Sequence, residues 1–215
     1  MSLPANMNIL TNTMLAQGVD HLVALDRDLA KIYAQFGSPP LWARVPGFDT
    51  LVHIILEQQV SLASARAAFG KLEKMSGIVT PEAFLQFKDA ELKSIGFSHQ
   101  KTNYCRELAR AIQEGHLRLD ELPLLSDAAA RKVLTNVKGI GPWTADIYLL
   151  MVLLRPDSWP SGDLALAVAM QELKNLPTRP TLPELDHIAD KWSPWRAVAA
   201  RMLWHAYLSK RKHTS

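Results

Sequence analysis

Helical periodicity constrains this chain more than any other feature of its sequence. Apolar residues recur at spacings of three and four along almost all of the 215 residues, whereas the alternation typical of strands is scarce. Glycines and prolines stand mainly between the periodic segments, where they end helices and form loops. The pattern therefore predicts an all-α protein of about ten helices, with one continuous helix over 18–36 and further helices from 48 to 210.

The composition and charge of the chain exclude several classes of protein. A net charge of +3 and a pI near 9.0 indicate a weak preference for polyanionic partners. The single cysteine, Cys105, excludes an intrachain disulfide and any metal or iron–sulfur site built from cysteines alone. We see no signal peptide and no apolar run approaching the ~20 residues of a membrane helix. We therefore expect a soluble intracellular protein, with polar ends (1–8 and 211–215) that fray.

The segment "VKGIGPWTADIYLL" (137–150) interrupts a helix and restarts it at once. Gly139 and Gly141 allow a tight turn, and Pro142 suits the first turn of the helix that follows. Backbone amides in such a turn lack helical partners and can bind an anion, commonly phosphate, beside Lys138. A bare Gly-x-Gly is, however, more often a corner between helices that binds no ligand.

The longer string "VKGIGPWTA" resembles the helix-hairpin-helix of the DNA glycosylase superfamily, which combines this hairpin with a Gly/Pro loop and a catalytic aspartate. Segments 51–72, 92–112 and 192–205 are similar to its alkylbase branch, and to the 3-methyladenine DNA glycosylase II group in particular. The resemblance covers roughly 50–210. It implies a two-lobed helical glycosylase fold in a short form without the β-rich N-terminal domain, with one lobe from 1–56 plus 164–215 and the other from 57–163.

The resemblance identifies Asp163, in "RPDSWPSGDLALAV", as the catalytic aspartate. Cleavage of an N-glycosidic bond builds positive charge on the sugar, and a fixed carboxylate can stabilise that charge and orient or deprotonate the attacking water. From the local sequence alone, Asp163 is more readily the N-cap of the next helix, and the two roles are compatible. Asp146 and Asp157 are nearby alternatives that lack the family's register.

Aromatic residues are expected to form the pocket for the extruded base. An alkylated purine carries positive charge, which the face of a tryptophan attracts by the cation–π effect. The resemblance places Trp143 and Trp204 in this pocket, although a tryptophan in an apolar helix is ordinarily a core residue. Tyr148 is a further candidate, one position beyond a tyrosine of some relatives, and Ile147 holds that position here.

The resemblance also implies a set of DNA contacts. Gln59, in "EQQVS", takes the position of the residue that fills the gap left by the extruded base, although a solvated loop residue is an equal alternative. Carbonyls of the hairpin in this family often hold a monovalent cation, Na⁺ or K⁺, and no other cofactor is expected. The predicted DNA contacts are Gln58, Gln59, Ser61, Lys138, Gly139, Ile140, Gly141 and Thr144, and the predicted cation ligands are the carbonyls of Thr135, Val137 and Gly139.

These features together predict a monofunctional glycosylase that excises 3-methyladenine and 7-methylguanine in base excision repair. Bifunctional relatives carry a lysine where this chain has Trp143, so no Schiff base and no strand cleavage are expected. The partner would be double-stranded DNA with alkylated bases, bound by a monomer in the bacterial cytoplasm or the eukaryotic nucleus. The alternatives are a glycosylase for another damaged base, a non-catalytic DNA-binding module and an all-α scaffold without a role in nucleic-acid binding.

Overall fold

A computed structural model describes residues 9–212 and confirms the all-α prediction. No strand occurs within the described residues, and a single 3₁₀ turn covers Leu122–Leu124. The predicted fraying of 1–8 and 213–215 lies outside them, whereas residues 211 and 212 are helical. The helices are α1 (Asn12–Leu25), α2 (Arg27–Phe36), α3 (Phe48–Glu57), α4 (Leu62–Ser76), α5 (Pro81–Gln86), α6 (Asp89–Ser94), α7 (His99–Gln113), α8 (Asp127–Thr135), α9 (Pro142–Met151), α10 (Leu164–Lys174), α11 (Leu182–Asp190) and α12 (Arg196–Lys212).

The prediction of one continuous helix over 18–36 is wrong, because the chain breaks at Asp26. This residue has extended backbone angles, and its Oδ1 accepts a hydrogen bond of 2.9 Å from the Asp28 amide, which starts α2. Its Oδ2 accepts from Trp192 Nε1 at 3.0 Å and from Lys191 Nζ at 2.6 Å. Apolar periodicity continues through the break, so the capping aspartate was the only local signal of it.

The chain divides into two compact units, a terminal unit (Met1–Ala43 and Leu149–Ser215) and a central unit (Arg44–Tyr148). These divisions fall at 43/44 and 148/149, compared with 56/57 and 163/164 in the sequence-based division. Helix α9 runs across the second division. None of the helices within 9–212 has the length and apolar character that a membrane span requires.

The terminal unit is organised around α12, which packs against α1, α2, α10 and α11. Residues 197–203 of α12 are all buried, and they include the arginine Arg201 among apolar side chains. Small residues permit close packing here. A Cβ on Gly18 of α1 would lie 2.8 Å from the Trp195 ring and 2.9 Å from Val198. The N-terminal half of α12 is therefore closely packed within this unit.

The central unit packs α7 against α3, α5 and α6, with α4 on α3. Phe84 of α5 lies at the middle of its core, with ring centroids 5.8 Å from both Phe48 and Phe97 and 6.5 Å from Phe87. Many helices of both units begin at a short polar side chain that accepts an amide hydrogen bond. The capping residues are Thr11, Asp26, Ser61, Thr80, Ser98, Ser126 and Asp163.

Candidate active site and DNA-binding hairpin

The predicted hairpin is present between α8 and α9 in the central unit. Ile140 N donates to Val137 O at 3.0 Å, and Ala145 N donates to Gly141 O at 3.0 Å as α9 begins. Gly139 has a φ of +99°, and a Cβ there would overlap the Tyr104 side chain of α7. A Cβ on Gly141 would meet no atom within 4 Å. Gly139 is therefore required by the fold, whereas Gly141 leaves open space at its backbone.

The exposed side of the hairpin carries features of an anion site. Lys138, Gly141 and Pro142 are exposed, whereas the Ile140 side chain is only 3% exposed. A contact of Ile140 with DNA would therefore have to use its backbone. Exposed turn amides at the start of a helix, beside a lysine, are the arrangement that binds phosphate in proteins.

Gln58 connects the loop after α3 to the hairpin. Its Nε2 donates to Gly139 O at 3.0 Å and to Thr144 Oγ1 at 2.9 Å, although these partners are more than eighty residues away. The Thr144 side chain is only 1% exposed. Gln58 and Thr144 thus bind each other inside the central unit, and their bonded polar atoms are occupied by these internal hydrogen bonds.

The loop after Gln58 presents Gln59 at the surface. Gln59 is exposed and has a φ of +57°, an uncommon left-handed conformation for a residue with a side chain. Lys101 Nζ donates to Leu56 O at 2.6 Å at the end of α3, and Ser61 Oγ accepts from Ser64 N at 3.2 Å at the start of α4. Both ends of this short loop are therefore anchored, which suits a residue that must be held outward.

The pocket residues predicted in the central unit differ in exposure. Trp143 is half-buried at the start of α9. Tyr148 is fully buried, and its hydroxyl has no hydrogen-bond partner among residues 9–212. Burial, with a contribution from the Asp49 carboxylate, raises the pKa of Tyr148 to about 12. Tyr148 is therefore a neutral core residue here, and Ile147 beside it is also buried. Of these aromatic candidates, only Trp143 has surface available for a base.

Asp163 is both the N-cap of α10 and the partner of Trp204 in the terminal unit. The preceding Gly162 has a φ of +84°, which turns the chain into the helix. Asp163 Oδ1 accepts from Leu166 N at 2.9 Å and from Trp204 Nε1 at 3.1 Å. The two residues are only 8% and 7% exposed. The cap prediction is confirmed, and the structure brings together two of the predicted site residues.

The alternative aspartates take part in ion pairs elsewhere. Asp146 is buried, and its Oδ1 lies 2.6 Å from Arg131 Nη2 and 2.7 Å from Arg131 Nε. Asp157 accepts two hydrogen bonds from the Arg196 guanidinium, at 2.9 and 2.8 Å, near the start of α12. These bonds account for both carboxylates as structural residues.

Trp42 lies beside Trp204 of the Asp163 site, and the sequence did not predict it as a site residue. Its ring centroid lies 6.5 Å from that of Trp204 in an edge-on arrangement, and the Leu41 carbonyl before it is bound by Arg201. Trp42 stands in "PPLWARVPG", a segment between prolines without periodicity. No local signal could therefore have assigned it a role.

Two of the three carbonyls predicted to hold a cation, those of Val137 and Gly139, already accept hydrogen bonds. Val137 O accepts from Ile140 N, and Gly139 O accepts from Gln58. Each carbonyl oxygen has a second lone pair, so the cation site stays a prediction. Among residues 9–212, no His, Cys, Asp and Glu side chains cluster in the manner of metal ligands.

Known proteins resemble this chain in both sequence and structure. It is 29% identical to YfjP of Bacillus subtilis over 188 residues, which cover 83% of this chain and 65% of YfjP. It therefore spans slightly less than two thirds of that relative. A DNA-3-methyladenine glycosidase structure from Bacillus halodurans matches with 29% identity and a TM-score of 0.74, covering 91% of each chain.

A second solved structure is the 3-methyladenine DNA glycosylase Mag1 of Schizosaccharomyces pombe in complex with abasic DNA. It is 25% identical, has a TM-score of 0.83, and the match covers 91% of this chain and 97% of Mag1. The family model for HhH-GPD superfamily base excision DNA repair proteins matches residues 52–194, which include both the hairpin and Asp163. The chain therefore belongs to the HhH-GPD superfamily of base excision DNA repair proteins.

Proposed function

We propose that this protein is a monofunctional DNA N-glycosylase that excises alkylated purines of the 3-methyladenine and 7-methylguanine type. The observation that carries the proposal is the position of the Asp163 carboxylate. Its Oδ1 accepts hydrogen bonds from Leu166 N at 2.9 Å and from Trp204 Nε1 at 3.1 Å. Family membership and the names of the solved relatives support the same activity.

Asp163 would act on the sugar and on the attacking water. The carboxylate lies at the N-terminus of α10, where the helix dipole and two N–H donors stabilise negative charge. As the N-glycosidic bond breaks, positive charge develops on the deoxyribose, and a fixed carboxylate lowers the energy of that state. The same carboxylate can orient a water or accept its proton as the new C–O bond forms.

The leaving group needs little assistance because an alkylated purine already carries positive charge. The protein must instead extrude the base from the duplex and hold it against electron-rich surfaces. Trp204 and Trp143 are the residues that we assign to this role. Gln59, exposed on its anchored loop, would occupy the gap left in the duplex.

The absence of lyase activity is part of the proposal. The position that would carry an attacking amine holds Trp143, and Lys138 precedes both glycines of the hairpin. Without a Schiff base, the product is an intact strand with an abasic site. The partner is double-stranded DNA, bound by a monomer whose hairpin amides contact a phosphate. A Na⁺ or K⁺ ion on the hairpin carbonyls would add positive charge at that contact.

Base release tests this proposal directly. The native protein and Asp163→Asn are each incubated with DNA that contains 3-methyladenine and 7-methylguanine, and the free bases are quantified. Asparagine keeps the capping oxygen, so the variant should fold normally while release falls by about 10²–10⁴-fold. Strand breaks should appear only after alkali.

Three other outcomes would contradict parts of the proposal. Salt-sensitive DNA binding without base release from any of a panel of damaged bases would indicate a binding module. Release of oxidised guanine or uracil alone would change the substrate class. Release that survives Asp163→Asn would overturn the catalytic assignment.

A further inference from the structure

Trp42 adopts a backbone conformation that a bulky residue rarely takes. Its φ is +49°, in the left-handed region, and the side chain is half-buried. A non-glycine residue in this region persists only where the surrounding structure holds it, and such residues cluster at functional sites. The interactions that hold Trp42 therefore indicate what its ring is for.

A buried arginine fixes the peptide that carries Trp42. Arg201 of α12 has no exposed surface, and its Nε donates to Leu41 O at 2.8 Å. Its Nη1 and Nη2 donate to Ala197 O at 3.0 Å and Leu150 O at 2.8 Å. Burial lowers the pKa of Arg201 to about 9, so the guanidinium is still charged at neutral pH. These bonds tie the residue before Trp42 to the helix that carries Trp204.

The Trp42 ring adjoins the aromatic residue that binds the Asp163 carboxylate. Its centroid lies 6.5 Å from that of Trp204 with an interplanar angle of 67°, and 6.3 Å from that of His205 with an angle of 59°. Trp204 Nε1 in turn donates to Asp163 Oδ1. Trp204 is 7% exposed, whereas Trp42 is half-buried and more exposed than Trp204. All of these residues belong to the terminal unit.

We infer that Trp42 is a specificity-determining residue whose indole contacts the extruded base and favours cationic, alkylated purines. This inference rests on the proposed glycosylase function and adds a residue to its base site. Tryptophan attracts a cation more strongly than the other aromatic side chains do. Two indoles at a steep angle form a corner, so a planar purine stacked on one ring can direct its edge toward the other. A neutral purine would lack the cation–π part of this attraction.

Binding of free nucleosides tests the inference without requiring catalysis. Equilibrium dialysis at mildly acidic pH compares 7-methylguanosine, a cation, with neutral guanosine. The native protein should bind the cation more tightly, by about 2- to 30-fold, the range of a cation–π contact. Trp42→Ala should abolish this preference, and Trp42→Phe should retain part of it. Tyr33→Ala removes another accessible aromatic ring, on α2 of the same unit, and should leave the preference unchanged.

The outcomes separate this inference from the proposed function. An unchanged preference in Trp42→Ala, or no preference in the native protein, would overturn the role of Trp42. Circular dichroism reports whether Trp42→Ala folds, and Trp42→Phe provides the test if it does not. Base release by the native protein is measured separately and reports on the glycosylase function alone. A failure of the glycosylase assay would therefore leave the nucleoside result interpretable, and the reverse also holds.

Discussion

The hairpin of the central unit and the Asp163 site of the terminal unit are held by different kinds of interaction. The hairpin depends on backbone geometry, on the positive φ of Gly139 and on hydrogen bonds between residues three or four apart. The Asp163 carboxylate accepts a local hydrogen bond from Leu166 N, but its bond from Trp204 Nε1 joins residues 41 positions apart. The Trp204 ring in turn packs against Trp42, from the other end of the chain.

The two regions should therefore be sensitive to different kinds of substitution. The hairpin should be sensitive to changes in backbone conformation and tolerant where its backbone faces open space. The aspartate site should be sensitive to the loss of single side-chain donors, even from distant segments. Gln58 is the exception among these hydrogen bonds, because it donates to Gly139 O from more than eighty residues away.

Gly139→Ala should have the largest effect on stability. The left-handed conformation costs about 1–2 kcal/mol for a residue with a Cβ, and overlap with Tyr104 adds about 1–3 kcal/mol. Denaturant unfolding should therefore show a loss of about 2–5 kcal/mol. Gly141→Ala is the matched control, since its Cβ meets nothing within 4 Å, and it should change stability by less than about 1 kcal/mol. Equal losses in the two variants would show that the hairpin is not held by its backbone as described.

Trp204→Phe tests whether a single side-chain donor holds the Asp163 carboxylate in place. The variant keeps an aromatic ring but removes the Nε1 donor to Asp163, a bond to a charged acceptor worth about 1.5–3 kcal/mol. Single-turnover base release should slow by about 10- to 150-fold if that bond positions the carboxylate.

Trp159→Phe provides the control for that experiment. Trp159 Nε1 donates to Asp186 at 3.0 Å, so the variant loses a comparable bond in the same unit. Its stability should fall by a similar amount while base release is retained. If both variants lose activity equally, the effect is on folding and the positioning role of Trp204 is wrong.

The stability that the Asp26 carboxylate contributes to the terminal unit should be lost in acid. Burial would raise the pKa of Asp26, but hydrogen bonds from Lys191, Trp192 and the Asp28 amide outweigh it and lower the pKa from 3.8 to about 2. Asp26 therefore contributes stability above pH 3.8, and this contribution is lost as the pH falls towards 2. The shift corresponds to about 2 kcal/mol.

Unfolding free energies measured from neutral pH down to acid would reveal this contribution. At neutral pH, Asp26→Asn should have a lower free energy of unfolding than the native protein. This difference between the two proteins should become smaller in acid. Asp20→Asn, at an exposed position of α1, provides the control for an Asp-to-Asn substitution in the same unit. A constant gap between Asp26→Asn and the native protein would contradict the assigned pKa.

Gln58→Ala should have a smaller effect, because it removes only the long-range hydrogen bonds from Gln58 to the hairpin. It leaves Gly139 O and Thr144 Oγ1 without their donor, which should cost about 1–2 kcal/mol and speed amide exchange at Ile140. Gln59→Ala, at the exposed neighbouring position, should change stability by less than about 0.5 kcal/mol while weakening base extrusion. If Gln59→Ala were less stable than Gln58→Ala, the hydrogen bonds from Gln58 would not stabilise the hairpin.

The sequence predicted most of the fold because helices and caps depend on residues a few positions apart. The spacing of apolar residues indicated nearly every helix, and short polar residues marked many of the starts. The break at Asp26 was missed because periodicity ran through it while distant Trp192 and Lys191 completed the environment of the cap. The full burial of Tyr148 was likewise decided by packing rather than by its position in α9.

The sequence by itself determined the helices, the hairpin between two of them and an aspartate at the start of α10. Each of these follows from local rules of backbone conformation and capping, together with a family resemblance in the order of the residues. The tertiary structure alone decided that Trp204 binds Asp163, that Gln58 binds the hairpin, and that Trp42 lies beside Trp204. A hydrogen bond or ring contact between distant residues depends on how whole helices pack, and no local pattern encodes that geometry.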